Sequence, residues 1–433
     1  MMDKINLGRK AGRDVELTFN GEEISSDGGL ILINKVDDRL GLIESLANNI
    51  PDVRDPLKIK HTVREILTQR IYAIAAGHED LNDHNLIRHD TIYQTLLNKD
   101  IELASPSTIC RLENNIPLET NFENQKILVD TFINSHDAPP KSLTLDFDPT
   151  DTTLYGDQEG KHYHGYYRDY CYLPLIVTCD QHLLVAHLRP SNIDGAKHVW
   201  AILSLLVKRI RQFWPNTEII FRADSGLCRH KMLNWCEDNH IKYIVGLPGN
   251  NVLNDLSEGL REKVKQNYEL EKETQKEYRE FEYSAKSWRN ERRVIVKAEH
   301  NGIGSNTRYV VTNMEGSPEH LYCNVYCQRG DMENRIKEVQ TDMFGDRLSA
   351  TSYATNQLRL MLSAISYIYM NTLKCMLAEP NKAKMYCKTI RLKIIKVAVI
   401  IRKNTRKIYL DISKSYPYRE LFMKALGLLH NLE

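Results

Sequence analysis

Apolar positions recur along this chain with two different periods, and the change from one to the other marks its main division. Residues 1–140 are mainly of the helical kind, after a short strand-like start at 15–19. Residues 63–76 carry apolar side chains three and four apart, the spacing of one helix face. Another helix is expected to open at Ser105. Serine caps a helix well, Pro106 suits the first helical position, and Ile109 and Leu112 then share a face. From Lys141 the pattern turns to strands. Segments 142–148 (SLTLDFD), 171–178 and 182–188 read as three strands, the last two suited to a hairpin. Segment 196–214 is an amphipathic helix, 217–223 (TEIIFRA) a strand, 231–239 a helix and 242–246 a strand.

Three strands, helix, strand, helix, strand is the order of an α/β ribonuclease-H-like fold, a mixed sheet with helices on both faces. Residues 250–320 interrupt it. A polar helical stretch at 252–273 is followed by alternating segments at 278–284, 292–299 and 307–312, with Asn301-Gly302 as a turn signal. Residues 326–344 read as a helix with a polar face, and 358–377 as a buried helix. The expected organisation is a mainly helical N-terminal DNA-binding region (1–140), a catalytic core (141–249 and 321–378), a β-rich insertion (250–320) and a basic helical C-terminal region (379–433) for DNA contact or dimerisation.

A chain of 433 residues accommodates two to four domains at roughly 100–200 residues each. Its formal net charge of +1 is low for a generic nucleic-acid binder, but the average hides a bias. Residues 381–410 contain Lys382, Lys384, Lys388, Arg391, Lys393, Lys396, Arg402, Lys403, Arg406 and Lys407 and no acidic residue. The nine cysteines lack a paired CxxC motif. Cys323 and Cys327 have no second Cys/His pair at zinc-finger spacing, so reduced thiols are expected. The N-terminus MMDKINLGRK has no apolar core of a signal peptide. The apolar stretch 358–377 is broken by Arg359, Asn371 and Lys374 and reads as a core helix rather than a membrane span.

Three acids stand out by position. Asp148 ends the first core strand in LDFDPTDTT, Asp224 ends the fourth in FRADSGLCRH, and Glu333 lies on a helix in YCQRGDMENRIKE. The first and fourth strands of a ribonuclease-H-like sheet are neighbours, so their ends bring the aspartates together, and a late helix can lay Glu333 across them. Magnesium prefers oxygen ligands in near-octahedral geometry, and two ions on the order of 3.5–4 Å apart stabilise both oxygens of an in-line displacement. Both aspartates also sit in good turn sequences, Asp148-Pro149 and Asp224-Ser225-Gly226. Asp146 and Asp151 compete for the first ligand position. Asp146 has the same strand parity as Asp148, which is preferred for its place at the strand end. On the helix, Tyr326, Arg329, Glu333, Lys337 and Gln340 follow three- or four-residue steps. Arg329 there can orient Glu333 or grip a phosphate.

Six segments carry a resemblance: LASPSTICRLEN (103–114), LDFDPTDTTLYGDQEG (145–160), GYYRDYCYLPL (165–175), LRPSNIDG (188–195), FRADSGLCR (221–229) and YCQRGDMENRIKE (326–338). In this order, across nearly the whole chain, they resemble the DDE transposases of bacterial insertion sequences, specifically the insertion sequence 1380 family. The resemblance implies a metal triad of Asp148, Asp224 and Glu333 holding two Mg²⁺ ions, with Mn²⁺ able to substitute. It also implies a helix motif of Tyr, Arg, Glu and Lys. Tyr326, Arg329 and Glu333 match it, while Gln340 stands at the Lys position and Lys337 is one turn earlier. Related transposases hold a flipped base on a tryptophan of an inserted β-domain. Trp288, beside Arg289, Arg292 and Arg293, suits such a base, or else packs the small domain.

The implied activity is cut-and-paste transposition: strand cleavage at transposon ends, hairpin intermediates and strand transfer. The implied partners are terminal inverted repeats and target double-stranded DNA, with a homodimer in the synaptic complex, no membrane and no small-molecule cofactor. The expected location is the bacterial cytoplasm, on the nucleoid. A ribonuclease-H-fold nuclease without strand transfer would show the same triad, and a domesticated DNA-binding protein would keep the fold alone.

Overall fold

The computed structural model describes residues 4–379 and 385–430; Lys382 and Lys384 of the basic stretch lie outside them. At its centre is an eight-stranded mixed sheet. Its strands are β1 (Ser142–Pro149), β2 (Leu175–Cys179), β3 (His182–His187), β4 (Glu218–Ala223), β5 (Lys242–Leu247), β6 (Gln275–Tyr283), β7 (Arg292–Asn301) and β8 (Gly304–Thr312). Across the sheet they run β6-β7-β8-β5-β4-β1-β2-β3. β4 is parallel to both β1 and β5, whereas β2 is antiparallel to β1 and β3 to β2. The β3-β2-β1-β4-β5 half is the ribonuclease-H-like arrangement read from the sequence. The insertion adds β6, β7 and β8 to the edge of the same sheet through the antiparallel β8–β5 pair.

Strand alternation assigns the two faces. Leu143, Leu145 and Phe147 of β1 and Ile219, Phe221 and Ala223 of β4 point one way into a shared core. Also in that core are α3 (Thr120–Asn134), α4 (Val199–Phe213) and α5 (His230–Asp238). The period of two then turns Asp146, Asp148 and Arg222 to the opposite face. That side carries α6 (Gly330–Lys337) and α7 (Tyr353–Leu377), which meet Ile176, Leu183 and Ala186 of the sheet in a second core.

α7 has 25 residues and is the one helix among the described residues long and apolar enough to cross a membrane. Most of it is buried instead, against α1 (Val63–Ala76), α2 (Pro106–Asn114) and the C-terminal segment. The Thr62 hydroxyl and the Glu65 carboxylate cap α1 reciprocally, a pattern that supplies partners for otherwise orphaned backbone N–H groups. Ser105 caps α2. The N-terminal helices, α7 and the C-terminal segment therefore share one hydrophobic core.

Three expectations change. The strand expected over 171–178 is two: Asp169–Tyr172 joins a separate three-stranded sheet, and Leu175–Cys179 alone enters the central one. The C-terminal region is not wholly helical: Val399–Lys403 and Ile408–Ile412 pair as a hairpin, and the first of them also pairs with Ile24–Ser25. The β-branched run through Val397, Val399, Ile400 and Ile401 packs better on a pleated surface than on a helix. The helix expected over 326–344 is also discontinuous. A π turn (Leu321–Tyr326) and a 3₁₀ turn (Cys327–Arg329) precede α6, and a second π turn (Glu338–Asp342) follows it.

Candidate metal centre

Asp148 and Asp224 are brought together by register. β1 and β4 run in parallel with Asp146 opposite Arg222 and Phe147 opposite Ala223, so each aspartate lies one residue beyond the last pair. Gly246 on β5 makes the second position possible. A Cβ there would lie 2.7 Å from the Ser225 amide nitrogen, 2.7 Å from the Tyr326 hydroxyl and 3.2 Å from the Asp224 carbonyl carbon. Glycine thus lets β5, the turn after Asp224 and Tyr326 close on one another.

The three acids gather around one guanidinium. Arg329 Nη2 is 3.0 Å from Asp148 Oδ1 and 3.9 Å from Asp224 Oδ2, and Nη1 is 3.8 Å from Glu333 Oε1. The Asp148 and Arg329 side chains are each 16% exposed, against 39% for Asp224 and 59% for Glu333. Burial pushes the Asp148 carboxyl up to about 7; Arg329 opposes the rise, and the charges of Asp224 and Glu333 add to it. Arg329 itself is held above its ordinary value, because its burial is outweighed by Asp148, Asp224, Tyr326 and Glu333. Tyr326 is raised by burial first, with Arg329 opposing. Tyr167 is raised by burial and then by the charges of Asp151, Asp148 and Asp224, so this tyrosine lies within the field of the acids. Only its place in the 165–175 motif had hinted at that.

Among the described residues, no three His, Cys, Asp or Glu side chains are drawn closely enough to hold a metal ion as they stand. The carboxylates surround a guanidinium that occupies the space between them. The donor set nevertheless fits a divalent cation. It consists of hard oxygens, and Asp224 Oδ1 is shielded from solvent with no hydrogen-bond partner. Such an atom is costly to leave unpaired. A cation taking the place of Arg329 would satisfy it.

Asp146 is set apart from Asp148 by its contacts. Both of its oxygens are engaged by Arg222, at 2.5 and 2.6 Å. Asp151 offers its backbone carbonyl to Gln340 Nε2 at 2.9 Å, and the same amide reaches the Thr150 hydroxyl at 3.3 Å. Gln340, at the position where the motif has lysine, therefore ties the second π turn to the loop after β1. Lys337 is solvent-exposed on α6. All nine cysteines are free, Cys323 and Cys327 among them.

Arg292, singled out beside Trp288 in the insertion, turns out differently from expectation. Arg292 is buried, 4% exposed. It holds Glu237 through Nε and Nη2 at 2.6 and 3.1 Å and Asn234 at 2.6 Å, so it anchors β7 to α5 and is not open to DNA. Trp288 is half-buried against the core, its ring 4.9 Å from the Arg292 guanidinium carbon and 5.4 Å from the Tyr283 ring. The sequence shows three arginines next to a tryptophan but not the Glu237 that claims one of them. The basic C-terminal segment is likewise partly consumed. Arg391 donates to the carbonyls of Ala75 and Ile74 at 2.9 and 3.2 Å, Lys396 pairs with buried Asp27 at 2.7 Å, and Lys403 pairs with Asp100 at 3.0 Å. Arg406 and Lys407 are exposed at the hairpin turn.

Residues 7–433 match the family described as transposase DDE domain group 1. A solved structure, described as a cryo-EM structure of the piggyBac transposase synaptic complex with hairpin DNA, is similar over 94% of this chain and 82% of that chain, with a TM-score of 0.41 and 10% identity. No curated protein matches the sequence.

Proposed function

From the premise that this chain belongs to the DDE transposase family, transposase DDE domain group 1, we propose that it is a Mg²⁺-dependent cut-and-paste transposase of the insertion sequence 1380 type. Its triad is Asp148, Asp224 and Glu333. The observation that carries this reading is the convergence of three carboxylates, distant in sequence, on the single guanidinium of Arg329.

Bound there, two Mg²⁺ ions would supply a nucleophilic water near neutral pH and charge neutralisation at the attacking and leaving oxygens. Asp148 and Asp224, side by side at two strand ends, are the fixed ligands. Glu333, more exposed on α6, closes the set from the helix side. Arg329 must turn away from the acids, and from the 3₁₀ turn before α6 it can then take a DNA phosphate with its two-pronged donor edge. Tyr326 and the exposed Lys337 flank the same path. At each transposon end one strand is cut, and the freed 3′-OH attacks the opposite strand to give a hairpin. Water reopens the hairpin, and the 3′-OH attacks target DNA. Trp288 as a stacking platform for an extruded base requires its ring to leave Tyr283 and Arg292.

The partners we propose are terminal inverted repeats and target duplex, with two copies in the synaptic complex and the nucleoid as the place of work. The N-terminal helices and the exposed Arg406 and Lys407 are our choice for phosphate contacts. Their contribution to affinity should fall as salt rises.

The test is to purify Asp148→Ala, Asp224→Ala and Glu333→Ala. Each is expected to bind transposon-end DNA and to leave it uncut in Mg²⁺. Cleavage by any of the three at the wild-type rate removes that residue from the triad.

A further inference from the structure

Asp146 and Arg222 occupy a special position relative to the triad. Each lies two residues before a strand-end aspartate, and they face each other directly in the β1–β4 register. Asp146 is 3% and Arg222 7% exposed. Arg222 Nε and Nη2 hold the two Asp146 oxygens at 2.5 and 2.6 Å, and Nη1 donates to the backbone carbonyl of Val325. Val325 precedes Tyr326 in the π turn Leu321–Tyr326, a kind of helix widening common at functional sites. One guanidinium thereby ties together the strand of Asp148, the strand of Asp224 and the turn that leads to Arg329 and Glu333.

We infer that the Asp146–Arg222 pair is a positioning unit for the metal centre, setting the spacing of its three acids through the shared contact to Val325. This rests on the triad reading above and adds to it two residues that touch neither metal nor DNA. A buried ion pair has little net stability advantage over an apolar pair of similar size. Its fork geometry does, however, constrain distance and angle on both strands at once. That constraint matters here because a slip of one residue between β1 and β4 would turn Asp148 to the opposite face of the sheet.

The experiment uses the full chain and Mn²⁺ as the probe, with bound ion followed by electron paramagnetic resonance. Replacing the pair by apolar side chains, Asp146→Leu with Arg222→Met, is expected to leave a cooperatively folded protein while raising the Mn²⁺ dissociation constant about tenfold or more, the range seen when ligand supports are removed. Arg222→Lys keeps the charge and loses the fork; its dissociation constant should rise severalfold above that of the wild type while staying below that of the double variant. If the double variant does not fold, Arg222→Lys decides. A folded variant of either kind binding Mn²⁺ within about twofold of wild type, well below the range for lost ligand support, overturns the positioning role. Asp148→Ala separates the two claims: Mn²⁺ binding that survives it, or that the wild type lacks, overturns the triad itself. Binding lost in Asp148→Ala but intact in the double variant overturns only the positioning unit.

Discussion

Replacing Asp148 by asparagine separates the charge of this residue from its shape. In the folded protein burial lifts its carboxyl from the ordinary 3.8 to about 7, with Arg329 already counted against the rise. The folded state therefore holds a proton that the unfolded chain releases across this window, so stability is lost as pH rises from about 4 to about 7 and stays lost above it. At about 1.4 kcal/mol per pH unit, the gap amounts to roughly 4 kcal/mol at pH 8. Near pH 5 the same reasoning leaves less than about 2 kcal/mol. Asparagine carries no charge to desolvate. In EDTA, Asp148→Asn should thus be more stable than wild type by up to roughly 4 kcal/mol at pH 8, and by much less at pH 5. Urea unfolding at both pH values, followed by tryptophan fluorescence, measures the difference. Adding Mg²⁺ should then stabilise the wild type and not the variant, since a ligand stabilises only the state that binds it. An asparagine variant no more stable than wild type at pH 8, or a difference that ignores pH, would refute the burial argument.

Gly246→Ala should slow cleavage and lower stability by about 1–3 kcal/mol, because the added methyl meets a backbone amide that cannot move aside. Adding Tyr326→Phe removes one of the two close contacts, so the unfolding midpoint of the double variant should partly recover. Arg292→Met should cost about 1–3 kcal/mol by removing one partner of Glu237, which keeps the Tyr243 hydroxyl, while the salt dependence of end-DNA binding, read by fluorescence anisotropy, stays unchanged. A shallower salt slope would mean that Arg292 reaches a phosphate after all.

The order of elements was legible in the sequence because each carries its own local signal. The alternation of Leu143, Leu145 and Phe147 announces a strand with a buried face. Ser105-Pro106 announces a helix start, and the long apolar run of α7 announces a core helix. Asp148, Asp224 and Glu333 could be singled out for the same reason, since strand ends and helix faces follow from those periods. Side-chain pairing across large sequence distances was not legible. Asp146 and Asp148 share parity and chemistry, and only the register of β1 against β4 places Arg222 opposite one of them. Arg292 looked free for DNA until the packing of β7 on α5 brought Glu237 to it. The C-terminal basic segment read as a helix because its cations dominate the pattern. Its β-branched residues found a strand partner at Ile24–Ser25, at the other end of the chain.

The sequence by itself determined the strands, the helices and the acids at their ends, because these depend on neighbours a few residues apart. Tertiary structure alone decided which charges face each other. A carboxylate becomes a ligand, a strut or a solvated surface group according to which cation the folded chain places within about 3 Å of it and how much water is left there, as Coulomb attraction and desolvation both act through space.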